Sequence, residues 1–212
     1  MTREYNQCFR ARTSYHAYIY HISLKSFKML GAFRVLFNRS LKKHPVLTNT
    51  TVYATFYLAA EMSQQTFNRI YSPDKPPYNF AAAARIAAVG STVYAPILYH
   101  WYKFLDRKFP GTAIKTVMTK VACDQFIMTP TLLATFFTVM AILERRDDIF
   151  EELRQKYFTA FMANQSFWIP GQTVNFLFIP PHLRVVYVAS VSFLWINVLC
   201  YIKRQKITKV EP

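Results

Sequence analysis

Five residues able to carry a charge or a strong dipole, Glu61, Arg85, Lys120, Asp124 and Gln125, interrupt otherwise apolar runs of the chain. An ionisable side chain inside a bilayer is costly. It is therefore found facing a bundle interior or a water-filled path, or paired with an opposite charge. Two chemistries follow: a polar route for a solute, or one or two buried pairs that fix helix register. A second set lies in YHWYKFLDRKFPG, where Trp101, Tyr102, Asp106, Arg107, Pro110 and Gly111 offer either an acid–base pair or an interfacial anchor. A third is Asp147, Asp148, Glu151 and Glu152, four acids within six positions. They suggest a cation site, but Arg145, Arg146, Arg154 and Lys156 stand among them, and a solvated helix face is the better reading.

Other kinds of chemistry find no support. Cys8, Cys123 and Cys200 are far apart and odd in number, which argues against a disulfide framework or a zinc site. The four glycines, Gly31, Gly90, Gly111 and Gly171, are too dispersed for a phosphate-cradling loop. No nucleophile elbow and no H-E-x-x-H pair occurs. The histidines His16, His21, His44, His100 and His182 are scattered along the chain. Sequons at Asn38, Asn49 and Asn164 have no secretory leader before them and read as chance matches. The reading is of a non-enzyme with no cofactor and no metal.

Composition narrows the class. The chain has 212 residues, is 52% apolar and 17% aromatic, and carries a formal net charge of +15. Nucleic-acid binders and membrane proteins with basic flanks combine these features. The mean hydropathy of +0.08 implies semi-polar spans packed on one another.

Four stretches are long enough to span. A bilayer asks for about 20 largely apolar residues. Residues 46–65 hold Glu61 as their one charge, 80–101 contain Arg85 and Pro96, 121–143 contain Asp124 and Pro130, and 185–202 are uncharged. Proline is tolerated in such helices because neighbours re-satisfy the freed carbonyls. Residues 72–79 are a Pro-rich loop. Residues 144–165 place Ile149, Phe150, Leu153, Tyr157 and Phe161 on one stripe, an amphipathic interfacial helix. In 167–184, Pro170, Gly171, Pro180 and Pro181 punctuate an apolar stretch, which reads as a short or broken helix at the bilayer surface. The Tyr99–Gly111 segment falls between two spans, so its aromatics and basic residues suit the headgroup layer, and it reads as an interfacial turn in which Asp106 and Arg107 have no partner.

Three regions emerge. Residues 1–36 form a basic arm with six Lys and Arg against Glu4, the composition of a mitochondrial targeting segment. Residues 37–204 form the multi-span domain, and 205–212 a basic tail. With four spans, both termini and the 102–120 loop share one side. Seventeen of the 26 Lys and Arg fall there and seven opposite, which places both termini in the matrix of a mitochondrial inner membrane.

The chain resembles the Mpv-seventeen / twenty-two-kilodalton peroxisomal membrane protein family, closest to its Mpv-like branch. The marks are His44-Pro45, WYKFLDRKFPG, Asp124-Gln125, FWIPGQTVNFLFIPP with His182 to Arg184, and Phe193-Leu194-Trp195, over residues 37 to 204. Trp168, Pro170, Asn175, Phe176, Pro180, Arg184 and Trp195 belong to the later motif. One departure is Ala60-Glu61 where the family has Gly-Asp. The resemblance implies an all-α integral membrane bundle of about four spanning helices, in mitochondria or peroxisomes. It also implies links to mitochondrial DNA and nucleotide balance and to reactive-oxygen metabolism, with channel behaviour in some members. No agreed substrate comes with it.

Two functions compete. One is a channel-like protein whose intramembrane charges line a path. The other is a non-conducting tether or scaffold whose basic flanks bind anionic lipid or ribosomal RNA in organellar translation or assembly. The expected partners are the lipid bilayer, further copies of the chain in a homo-oligomer, and those polyanions.

Overall fold

The computed structural model describes Met29 and residues 31–207, which form only helices and connecting turns. The chain divides into two units, Met1–His44 and Pro45–Pro212. In the first, residues 31–43 form helix α1. Most of the basic arm 1–36, and tail residues 208–212, lie outside the described residues.

The second unit has five long helices: α2 (Pro45–Tyr71), α3 (Phe80–Lys108), α4 (Ile114–Leu143), α5 (Glu151–Phe178) and α6 (Arg184–Ile207). Pro45 opens α2 because its missing N–H falls on a helix's first, unpaired turn. Asn79 caps α3 by accepting from the Ala82 N–H at 2.9 Å, and Gln65 of α2 clasps Asn79 in both directions, accepting its N–H at 2.7 Å and donating to its carbonyl at 3.0 Å. Gly111 turns α3 into α4 with a φ of 94°, a region that side chains disfavour. Before α5, Asp148 accepts the Phe150 N–H at 2.9 Å and pairs with Arg154. Those two contacts, the Phe150 N–H first, hold its carboxyl below the usual range. The acidic run is thus a capped, solvated helix start, and among the described residues no three metal-ligating side chains converge.

Prolines are absorbed in the same way in α3 and α4. Each helix widens into a π turn, Gly90–Tyr94 and Asp124–Met128, and each turn is followed after one residue by proline, Pro96 and Pro130. Proline has no N–H to close the next bond and its ring crowds the carbonyl four residues back. The wider turn takes up the mismatch, as π turns do at functional positions. The Tyr94 hydroxyl donates to the Leu132 carbonyl at 2.8 Å, tying the two irregular regions together.

Two expectations are corrected. Residues 144–165 and 167–184 are not an interfacial helix followed by a broken one. One continuous helix, α5, carries Pro170 inside it, and Trp168, Gln172, Asn175 and Phe176 are buried in the core. Of the expected stripe, Ile149, Leu153, Tyr157 and Phe161 are half-buried and Phe150 is exposed. Because α5 is continuous, the chain passes along the bundle five times among the described residues. Arg184, at the start of α6, pairs with Asp106 at the end of α3, whereas Asn197, late in α6, accepts from Ser63, late in α2, at 2.7 Å. The Pro45 end of α2 and the Ile207 end of α6 therefore lie at opposite ends of the bundle, against the shared side expected from four passes.

The bundle has an apolar, aromatic core with polar side chains set into it, and large apolar side chains on its outside. Tyr53, Tyr57, Leu98, Tyr102, Val121, Phe176 and Val188 are core, yet Asn49, Asp124, Gln125, Gln172 and Ser192 are buried with them. Leu58, Phe126, Ile127, Phe158 and Leu194 are exposed. Helices α3 and α4 are each long and apolar enough to cross a membrane.

Candidate functional site

At the α3–α4 end of the bundle, three charges from three helices meet. Lys120 donates to Asp106 Oδ1 at 2.8 Å, and Arg184 donates to the same oxygen. The side chains of Lys120 and Arg184 are 2% and 4% exposed, that of Asp106 24%. Lys120 also reaches the Gly111 carbonyl at 3.4 Å and Arg184 the Ile179 carbonyl at 3.2 Å. Phe176 presents its ring to both cations, with centroid distances of 5.9 and 5.1 Å. Buried charges persist only when paired and hydrogen-bonded, and this arrangement meets that demand by sharing one carboxylate.

Asp106 was expected in a turn without a partner. It lies instead near the C-terminal end of α3, which runs on to Lys108, and it joins α3, α4 and α6. Trp101 and Tyr102 are on the same helical stretch and turn inward. Arg107, Pro110 and Gly111 do lie at the bundle's end, where they bound the connection. Linear spacing could not reveal the pairing, because Arg184 is brought in only by the return of α5.

Asp124 sits in the π turn of α4. The buried-pair reading of the intramembrane charges would join it to Lys120, one turn earlier, and to Arg85. It is met instead by neutral donors: Trp101 Nε1 donates to Asp124 Oδ1 at 2.9 Å, and Gln125 Nε2 to Oδ2 at 3.2 Å. Lys120 is drawn off to Asp106. Arg85, half-buried on α3, keeps its Nε without an acceptor. Gln165 of α5 donates to the Gln125 carbonyl at 3.2 Å, one of the groups exposed by the widened turn. Glu61, buried on α2, accepts from Gln65 at 3.0 Å. From α5, Asn175 donates to Gln172 at 2.8 Å, which donates to the Tyr102 hydroxyl at 2.9 Å.

Between these helices lies a cavity of about 320 Å³. Glu61, Asp124 and Gln125 line it, with Tyr53, Tyr57, Tyr94 and Tyr102 from α2 and α3, and Trp168, Gln172 and Trp195 from α5 and α6. Of the residues singled out by sequence, the structure brings Glu61, Tyr102, Asp124, Gln125, Trp168 and Trp195 to one space. It leaves Lys120 and Arg184 in the charge triad and keeps Arg85 off the cavity wall. Pro170 shapes α5, Asn175 and Phe176 back the wall, and Pro180 precedes the single 3₁₀ turn before α6. Tyr53, Tyr57 and Gln172 were missed. The four-residue spacing of Tyr53 and Tyr57 in a weakly apolar span was the available signal.

A family model, that of the Mpv17 / PMP22 family, matches residues 141–200. The chain is 36% identical over 169 residues to the Mpv17-like protein of Xenopus laevis, covering 80% of this chain and 82% of that one. It is 30% identical to the Mpv17-like protein of Bos taurus, with 79% and 82% covered, and 33% identical to the protein sym1 of Aspergillus oryzae, with 75% and 91% covered. No solved structure matches.

Proposed function

Because this chain belongs to the Mpv17 / PMP22 family of membrane proteins, we propose that it acts as a multi-pass, channel-like protein of the mitochondrial inner membrane. The observation that carries the reading is the cavity itself: a largely aromatic and aliphatic space between the helices into which Glu61, Asp124, Gln125 and Gln172 are set, with Leu58, Phe126, Ile127, Phe158 and Leu194 exposed on the outside. That is the arrangement expected where lipid surrounds the bundle and a solute or water occupies its interior. The two π turns support it, since irregular backbone at membrane depth is tolerated where it borders a cavity, and both turns contribute to the wall. The basic composition of residues 1–36 supports a mitochondrial over a peroxisomal membrane. In this reading the bilayer is the principal partner, and a homo-oligomer would place several cavities side by side.

Purified chain in a planar bilayer tests the proposal. Stepwise conductance is the expected result, and Asp124→Asn should change its size or ion preference. A silent bilayer at protein densities confirmed by quantitation would overturn the channel and leave the tether, with its basic flanks on anionic lipid or ribosomal RNA.

A further inference from the structure

The cavity wall contains two carboxylates, Glu61 and Asp124, and no lysine, arginine or histidine among the described residues. Both carboxylates are buried. Each is met by neutral donors, Gln65 on Glu61 and Trp101 with Gln125 on Asp124. Neutral donors offset part of the desolvation of a carboxylate but supply no counter-charge.

Two more oxygens on the wall have no hydrogen-bond partner among the described residues. They are the Tyr53 hydroxyl and Gln125 Oε1, and these residues are 0% and 1% exposed. A buried polar atom left unpaired is costly and calls for an occupant that supplies the missing group. The wall is also aromatic. Tyr53 and Tyr57 stack at 5.3 Å between centroids, and Tyr94 stands edge-on to Tyr57 at 6.2 Å.

We infer that the cavity takes a small organic cation with a primary ammonium head. Its charge faces the carboxylates of Glu61 and Asp124, its N–H groups donate to the unpaired oxygens, and its alkyl part is received by the tyrosine wall. An ammonium is also attracted to aromatic faces, a common basis for recognising such ligands. A divalent metal fits less well: it needs several oxygens converging at about 2.0–2.6 Å, and no such cluster occurs among the described residues. An anion would meet only like charge. The volume of about 320 Å³ suits a small ligand. The inference rests on the channel reading and names the cargo class of that same cavity.

The test uses the full chain in detergent, titrated with n-butylammonium, n-butanol or butyrate at matched ionic strength. Tryptophan fluorescence is the first readout, since Trp168 and Trp195 line the space, and thermal unfolding is the second. A saturable response to the ammonium alone is expected, weakened at least tenfold in Asp124→Asn and in Glu61→Gln. The second variant covers the chance that the first does not fold, and the ranking of the three probes on unaltered protein needs neither. Equal responses to all three, or none, would overturn the inference, as would saturable binding untouched in a folded variant. Flux of the same ammonium into liposomes separates this from the channel proposal. Binding without flux sinks the channel and keeps the cation site. Salt flux without ammonium preference sinks the site and keeps the channel.

Discussion

Lys120 turns away from Asp124, its neighbour one turn along α4, and places its ammonium 2.8 Å from Asp106 of α3. Arg184 approaches the same carboxylate from α6, so two buried cations share Asp106 at that end of the bundle. Asp124 is thereby left among neutral donors, facing the cavity. One pairing separates the charge triad from the cavity carboxylate.

The triad predicts an asymmetric response to mutation. Asp106→Asn leaves two buried cations without a counter-charge, and breaking a buried pair in this way costs about 3–5 kcal/mol. Lys120→Met keeps the Asp106–Arg184 pair and replaces the ammonium by an apolar group of similar length, so it should cost no more than ~1 kcal/mol. Thermal unfolding in detergent ranks the two. Equal losses would mean that the charges act independently.

Asp124→Asn should be mild for stability and strong for conduction. Asparagine can still accept from Trp101 Nε1, so the loss should stay within about 1 kcal/mol, the net value of one hydrogen bond. Removing the charge should lower cation preference, measured as a shift in reversal potential under a salt gradient. A large drop in unfolding temperature with unchanged current would reverse both halves of this expectation.

Gly90 lies where α3 meets α2, and a Cβ there would come within 2.7 Å of the Tyr57 ring. Tyr57 is packed between Tyr53 and Tyr94, so the ring cannot swing aside cheaply. Gly90→Ala should therefore cost about 1–3 kcal/mol as an overpacked core. Gly31→Ala, with nothing within 4 Å of the added carbon, serves as the control and should be neutral or slightly stabilising. Comparing the two unfolding temperatures checks the claim.

Five crossings of the bilayer would place the 109–113 connection and the C-terminal end on opposite membrane faces. A cysteine introduced at Thr112 and an epitope after Pro212 should show opposite accessibility, to impermeant maleimide and to protease, in mitoplasts. The connection is expected on the matrix side, with the basic ends of α3 and α4 beside it. Matching accessibility would restore an even number of crossings.

Residues 1–36, joined to a fluorescent reporter, should direct it to mitochondria on composition alone. A diffuse cytosolic signal in live cells would show that the address lies elsewhere in the chain.

Much of this was legible in the linear chain. Apolar runs of near-spanning length, interrupted by single charges and flanked by basic residues, required helices in a bilayer-like setting. They also picked out Glu61, Asp124 and Gln125 as the positions to explain, because a lone charge in an apolar run has few physical excuses. Local punctuation was the less faithful guide. Pro170-Gly171 looked like a break because proline disrupts an isolated helix, but in a packed bundle the neighbours hold the helix together, and the Tyr187 hydroxyl even reaches the Gly171 carbonyl at 3.1 Å.

What sequence alone determined was helical class, membrane setting and the short roster of intramembrane polar residues, since these follow from composition and period along one chain. What only tertiary structure decided was partnership and direction. Whether Lys120 joins Asp124 or Asp106 depends on how the end of α3 folds back on the start of α4, and Arg184 reaches the same carboxylate because α5 runs unbroken between them. Charge pairing inside a bundle acts over a few ångströms between residues far apart in sequence, so no spacing along the chain encodes it.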